Sequence, residues 1–381
     1  MVSCNRSGWF VLVCVLLGES WLVSASDAPS VNLSRPDQVF EIFQFPRDQM
    51  PRIDGKTDDW QMVPDRYIYG TDLLNDTEDG QGTDIDPHDL DVKVRVGWVK
   101  GLNRLYVLYE AHDDYWDFGR FSPKGYRNDI FEIAVDGDLS GGPFIFNPVY
   151  RREDLRWASD TAAYLENHVR FSGVHAQNYH FFTPPVNNAW VLVWGCQPWI
   201  ADFPRANYAY DYDFQPGDSG KLVMELWLTP YDYAPFSGPN GAVESTLEEG
   251  RQIGLSWSIL DFDGGPREGH VNLAHNVQMV KDASYLCAFK LMPLEPALRD
   301  PIRAEWTFKV LDQEQGLVGF VDESVGEIQS WEWDFGDGTT STERHPVHRF
   351  SEKGVHKVVT LEVSGPAGTS KRTRYWEVMI H

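Results

Sequence analysis

Between residues 92 and 109 the chain alternates with a period of two, breaks once at a turn, and resumes. Val92, Val94 and Val96 interleave with Lys93, Arg95 and Gly97, and Lys100-Gly101-Leu102-Asn103 supplies turn chemistry. Leu105, Val107 and Tyr109 then interleave with Tyr106, Leu108 and Glu110. Such a period puts each set of residues on one face of a pleated strand, so the stretch predicts a β-hairpin with one face toward a core. The signal returns at Phe131-Ile133-Val135, Leu222-Met224-Leu226-Leu228 and Ile253-Leu255-Trp257-Ile259. Near the C-terminus it returns at Trp306-Phe308-Val310 and Val359-Leu361-Val363. Strands separated by turns, with few helical signals, predict an all-β chain built from sandwiches.

The segments between these strands set the expected boundaries. Residues 1–25 read as an export signal: Arg6, an apolar run from Trp9 to Leu17, and small residues at Val23-Ser24-Ala25. That run is shorter than the roughly 20 residues a membrane span needs, so no span is expected after cleavage, and the protein is expected to be secreted, periplasmic or on the cell surface. Residues 26–47 read as a loosely structured lead-in, 48–292 as a large β-sandwich with an elaborated insertion at 143–220, 293–302 as a proline-punctuated linker, and 303–381 as a small sandwich. Within the insertion, one strand is expected near Trp190–Trp194 and a short helix within 152–170. Cys196 and Cys287 remain after cleavage, either bridged or as two buried thiols.

A net charge of −24 argues against nucleic acid and anionic membrane surfaces as partners, and is compatible with cations and neutral ligands. Fifteen Trp residues supply both core mass and flat platforms. Trp98, Trp257 and Trp333 lie inside alternating strands and are expected in cores.

Two stretches resemble known families. Trp333-Asp334-Phe335-Gly336-Asp337-Gly338, followed by His345-Pro346-Val347-His348 and Phe350-Ser351-Glu352-Lys353-Gly354, closely resembles the PKD domain signature. The resemblance implies an extracellular immunoglobulin-like sandwich that serves as a spacer or companion module. The larger domain is similar to family 9 carbohydrate-binding modules and their DOMON-like relatives. The similarity is carried by Ile53-Asp54-Gly55 with Asp58-Asp59-Trp60, by Trp98, Leu105-Tyr106-Val107 and Asp113-Asp114, and by Asn128-Asp129-Ile130-Phe131-Glu132 with Asp136. It implies a jelly-roll or immunoglobulin-like β-sandwich that binds a polysaccharide or oligosaccharide without catalysis, in company with other secreted enzymes that degrade polysaccharide. Some DOMON-like domains hold haem, but the spacing of Met62, His112 and Met224 does not favour it, and none is expected.

Sugar binding needs aromatic surface for C–H faces and placed polar groups for hydroxyls. The candidates are Tyr115, Trp116, Trp194 and Trp199 as platforms, and Asn128, Asp129 and Glu132 as polar partners. If buried, Glu132 needs a counter-charge such as Arg95 or Lys93. Asp136, Asp138 and Ser140 place oxygens at alternate positions before two glycines, which is either the start of a calcium loop or an acidic β-turn. Asp261 and Asp263 repeat the theme. Two further readings stand beside sugar binding: a glycoside hydrolase using Glu132 and Glu225, and a surface protein with no ligand.

Overall fold

The computed structural model describes residues 33–78, 80–119, 127–145, 171–186, 189–299, 301–351 and 356–379. The export segment and the expected helix within 152–170 lie outside the described residues. None of the described helices is long and apolar enough to cross a membrane.

The large unit carries β1 (Val39–Phe45), β2 (Ile68–Gly70), β3 (Asn75–Asp76), β4 (Leu90–Val99), β5 (Leu105–Asp113), β6 (Ile130–Asp136), β7 (Gln177–Val186) and β8 (Ala189–Trp194). It continues with β9 (Ala206–Asp211), β10 (Gly220–Leu228), β11 (Tyr231–Tyr233), β12 (Val243–Glu244), β13 (Gln252–Phe262), β14 (Arg267–Asn272) and β15 (Cys287–Leu291). Two layers emerge. One has the order β8-β7-β6-β13-β15, with β14 beside β13; the other has β4-β5-β10-β9, with β2 beside β4. β1 belongs to both: residues 39–42 pair in parallel with β15, and residues 43–45 pair in parallel with β4.

This strand corrects the lead-in expected at 26–47. Its apolar pattern changes phase where it changes layer: Phe40 and Ile42 enter the main core, whereas Phe43 and Phe45 enter a second cluster outside the β4-β5-β10 layer. The phase shift hides the alternation that marks an ordinary strand. The second cluster also explains why both faces of β5 are apolar. Val107 and Tyr109 face the main core, while Tyr106 and Leu108 pack with Trp60 and Tyr67 from the covering segment. On the far side the layers meet edge to edge: Trp190 of β8 stacks on Tyr208 of β9, with centroids 4.2 Å apart. Tyr210 donates to the Phe182 carbonyl at 2.9 Å across the same seam. Cys196 and Cys287 are free thiols.

The C-terminal unit contains β16 (Trp306–Asp312), β17 (Leu317–Asp322), β18 (Ser330–Asp334), β19 (Thr340–Ser341), β20 (Val347–Arg349), β21 (His356–Gly365) and β22 (Gly368–Met379). Sheets β16-β17-β20 and β19-β18-β21-β22 enclose Trp306, Phe320, Trp333, Phe335 and Phe350. Gly336 closes the signature turn at φ +73°, and a Cβ there would lie 2.2 Å from the Val358 carbonyl oxygen. Only glycine satisfies both conditions.

Candidate functional site

The outer face of the β7-β6-β13-β14 layer carries a cavity of about 350 Å³. Strand register builds it. Glu132 on β6 lies opposite His180 on β7 and Ser258 on β13, and Leu260 on β13 lies opposite His270 on β14. The intervening residues Phe131, Ile133, Tyr179, Phe181, Trp257 and Ile259 point the other way, into the main core. Ile145, Trp194, Leu260 and Val280 supply apolar wall, and Arg267 and Lys281 complete the lining.

Glu132 is 1% exposed at the centre of the polar groups. Its Oε1 accepts from Asn178 Nδ2 at 2.6 Å and from His180 Nε2 at 2.5 Å, and its Oε2 accepts from Ser258 Oγ at 2.9 Å. Burial is the largest influence and opposes its charge, but His180, His270 and the bond from Asn178 together outweigh it and hold the carboxyl below its ordinary range. Arg95 does not serve as its counter-charge, since that guanidinium pairs with Glu110 across the other layer. His270 Nδ1 bonds Glu78 Oε2 at 2.8 Å, and Arg267 pairs with the same oxygen at 3.0 Å. Among the described residues, three buried polar atoms of the lining have no hydrogen-bond partner: Asn178 Oδ1, His180 Nδ1 and His270 Nε2, the last standing 3.8 Å from Glu132 Oε2. Each imidazole bonds its carboxylate through one nitrogen, and whether the other nitrogen donates or accepts follows the tautomer. The cavity therefore offers one buried amide acceptor and two buried imidazole nitrogens to incoming hydroxyl groups, beside the Trp194 ring, which is 38% exposed and 5.3 Å from the His180 ring.

Of the residues singled out by sequence, the structure brings Glu132 and Trp194 together here. It removes two others from any ligand surface. Trp116 is 1% exposed, stacked at 4.9 Å on Phe214, and donates its indole N–H to the Gly220 carbonyl at 3.0 Å. Trp199 is buried edge-on against Tyr231 and donates to the Pro235 carbonyl at 3.0 Å. Both follow loop-like sequence, yet the loops fold inward and seal the core. Tyr115 is partly exposed but covers the turns at Gly217 and Gly264, away from the cavity. Asn128 is fully buried. Glu225 lies on β10, where its carboxylate accepts from Trp60 Nε1 at 2.9 Å and from the amides of Asp54 and Gly55. Glu132 and Glu225 sit on the outer faces of different layers, with the core between them, so the two cannot flank one glycosidic bond.

The acidic residues also sort differently from expectation. In the 136–140 loop, Asp136 accepts from the amides of Ser140 and Gly141, and Asp138 Oδ1 accepts from Ser140 N at 3.0 Å. These oxygens close a turn on its own amides. Asp129 instead joins Asp113 and Asp261, one carboxylate oxygen of each lying within 4.8 Å of the others; Asp89, Asp114 and Asp263 form a second such group. The inner three continue the core-facing series of their strands: Tyr109-Ala111-Asp113 on β5, Asp129-Phe131-Ile133 leading into β6, and Trp257-Ile259-Asp261 on β13. They close one end of the sandwich interior. Burial pushes Asp113 up to about 7 and Asp261 up to about 8, with neighbouring carboxylates adding to both, and Asp129 is raised well above its ordinary value for the same reasons.

The residues that sequence reasoning missed were His180, Asn178, Ser258 and His270. The available signal was polar residues at one parity of strands whose other parity is wholly apolar, as in Asn178-Tyr179-His180-Phe181.

Residues 311–380 match the PKD domain family, so the C-terminal unit is a PKD domain. Over that unit the chain is similar to the PKD1 domain of the Vibrio cholerae metalloprotease PrtV (30% identity, 21% of this chain and 99% of that one, TM-score 0.19). It is likewise similar to the PKD1 domain of Vibrio anguillarum Epp (28% identity, 22% and 99%, TM-score 0.20). A family 9 carbohydrate-binding module from Caldicellulosiruptor kristjanssonii, solved in complex with cellotriose, is similar over 68% of this chain and 97% of that one, at 16% identity and TM-score 0.41. No curated protein matches the chain by sequence.

Proposed function

We propose that this protein binds a saccharide, without catalysis, in the Trp194 cavity. The observation that carries the reading is the set of three buried polar atoms around Glu132, without a hydrogen-bond partner among the described residues, beneath a half-open indole. Sugar hydroxyls, which both donate and accept, supply the missing partners, and the indole supplies a flat face for C–H groups. Glu132, held by three donors, orients the cavity, and among the described residues of the lining it is the single carboxylate. The apolar run at Trp9–Leu17 motivates export, which would put the chain in the periplasm, on the cell surface or outside the cell. There the PKD domain serves as a companion or spacer beside secreted enzymes that degrade polysaccharide.

A calcium ion belongs to the same reading, at Asp113, Asp129 and Asp261 rather than at 136–140. Those residues fit a hard cation: all donors are carboxylate oxygens, and Asp261 Oδ1 is buried without a hydrogen-bond partner among the described residues. Asp263, whose Oδ1 is also buried and unpartnered, stands in the adjoining group. Bound there, calcium supplies positive charge between the layers.

Calorimetry with cellotriose and a panel of other oligosaccharides tests the proposal. Binding that weakens at least about tenfold in Trp194→Ala, with an unchanged melt, is expected. Saccharide binding that survives Trp194→Ala undiminished sinks the assignment of the site.

A further inference from the structure

The cavity and the carboxylate cluster stand on opposite faces of the same strands, and Asp129 joins them. Its Oδ1 accepts from Phe262 N, at the end of β13, at 2.9 Å, and its Oδ2 accepts from the Asp117 amide. Its backbone carbonyl accepts from Thr183 on β7, at 2.8 Å from Oγ1 and 3.3 Å from N. Thr183 lies three residues beyond His180, Asp129 lies three before Glu132, and Asp261 follows the cavity residue Leu260 directly. Between cluster and cavity, Ile130, Phe182, Leu260 and Phe262 pack into one small apolar group. One residue thus touches the cluster and ties together β6, β7 and β13, the strands that present Glu132, His180 and Ser258. Asp261, a member of the cluster only 3% exposed, has an Oδ1 with no hydrogen-bond partner among the described residues, an independent sign that this end of the core receives a cation.

We propose that a divalent cation at Asp113, Asp129 and Asp261 sets the geometry of the saccharide cavity through Asp129 and Thr183, so that cation and saccharide bind cooperatively. A bound cation draws the three carboxylates onto one centre, and without it nothing holds the Asp129 carboxylate toward Asp113 and Asp261. Its release moves that carboxylate relative to Phe262 N, and with it the ends of β6, β7 and β13. Close-packed side chains such as Leu260 and Phe182 transmit a shift of a few tenths of an ångström rather than absorb it. Linkage makes the effect mutual: a saccharide that binds tighter in calcium must tighten calcium by the same factor. The inference rests on the saccharide reading of the cavity. Asp129 and Thr183 are positioning residues in it, since they act through Glu132 and His180.

The test is calorimetry of the full chain with cellotriose, xylotriose, mannotriose and triacetylchitotriose, in excess calcium and in EDTA, with thermal melts alongside. At least one saccharide is expected to bind about tenfold or more weaker in EDTA, and to raise calcium affinity by the same factor. Thr183→Val keeps the volume and removes the hydroxyl bond to Asp129. It is expected to leave the calcium-induced rise in melting temperature intact while shrinking the tenfold effect to about twofold. Equal affinity in calcium and EDTA, with calcium still raising the melt, overturns the coupling and leaves the saccharide reading standing. No saccharide binding in either condition, with calcium raising the melt, overturns the saccharide reading and the coupling with it. A melt that calcium does not move overturns the cation site.

Discussion

Removing one charge from the Asp113–Asp129–Asp261 cluster should stabilise the cation-free protein, although it deletes a buried ionisable group. The carboxylate oxygens lie within 4.8 Å of one another. Two unit charges at that separation repel by roughly 3 kcal/mol at an effective dielectric of about 20. Asp261→Asn removes two of the three pairs. In the cation-free wild type the cluster relieves this repulsion by holding protons, as the elevation of Asp261 to about 8 and Asp113 to about 7 indicates, with burial the larger cause in each. The sign follows from linkage. A carboxyl raised in the folded state keeps its proton where the unfolded chain has lost it, so stability falls as pH rises from about 4 and levels off once pH passes 7 to 8. A tenfold change in proton affinity between the folded and unfolded chain is worth about 1.4 kcal/mol. The three groups share their repulsion, so the loss across the cluster is roughly 3–5 kcal/mol rather than the sum over separate carboxyls. For a domain of this size that is about 10 °C in melting temperature. Differential scanning fluorimetry in EDTA from pH 5 to 8 should show this fall in wild type and a shallower one in Asp261→Asn. Calcium should flatten the wild-type profile and affect the variant less. Taking the difference between wild type and variant isolates the cluster from other titrating groups. If the wild-type and variant profiles run parallel, or calcium raises both melts equally, the electrostatic reasoning is wrong.

Other outcomes follow from the same structure. Trp116→Ala opens a core cavity beside Phe214 and should cost about 3–5 kcal/mol in denaturant unfolding, whereas Trp194→Ala on the surface should cost under about 1 kcal/mol while weakening saccharide binding. Gly336→Ala meets the Val358 carbonyl oxygen at 2.2 Å from a φ of +73°, and should lower the PKD unfolding transition by about 3 kcal/mol or more while leaving the large domain's transition in place. Glu132→Gln should weaken saccharide binding by leaving His180 without its carboxylate partner, and a reducing-sugar assay should show no release by either form; release by wild type that Gln abolishes would favour a hydrolase. In the PKD domain, burial opposes the charge of Asp337, but hydrogen bonds from Thr339 and His348 outweigh it and lower its pKa. The stability this contributes is present above the unfolded carboxylate pKa of about 4 and is lost as pH falls below it, so Asp337→Ala should flatten the acid limb of the PKD melt.

Local patterns in the sequence carried much of this molecule. Period-two alternation located β4, β5, β6, β10 and β13 and the faces that Val94, Tyr109, Phe131 and Trp257 turn to the core, because a strand buried on one face must repeat that way. The PKD turn was equally legible, because Gly336 answers a backbone constraint within its own few residues and one facing carbonyl. Tertiary structure alone decided the rest. β1 escaped notice because it serves two layers and shifts phase between them. Trp116 and Trp199 resembled platforms and proved to be core, since a ring's exposure depends on what folds over it. His180, Ser258 and His270 meet Glu132 only through register between strands separated by up to 138 residues in sequence, from Glu132 to His270. The carboxylate cluster has the same origin: each aspartate stands at one end of the apolar series of a different strand, and only the stacking of two layers brings the three carboxylates within 4.8 Å of one another.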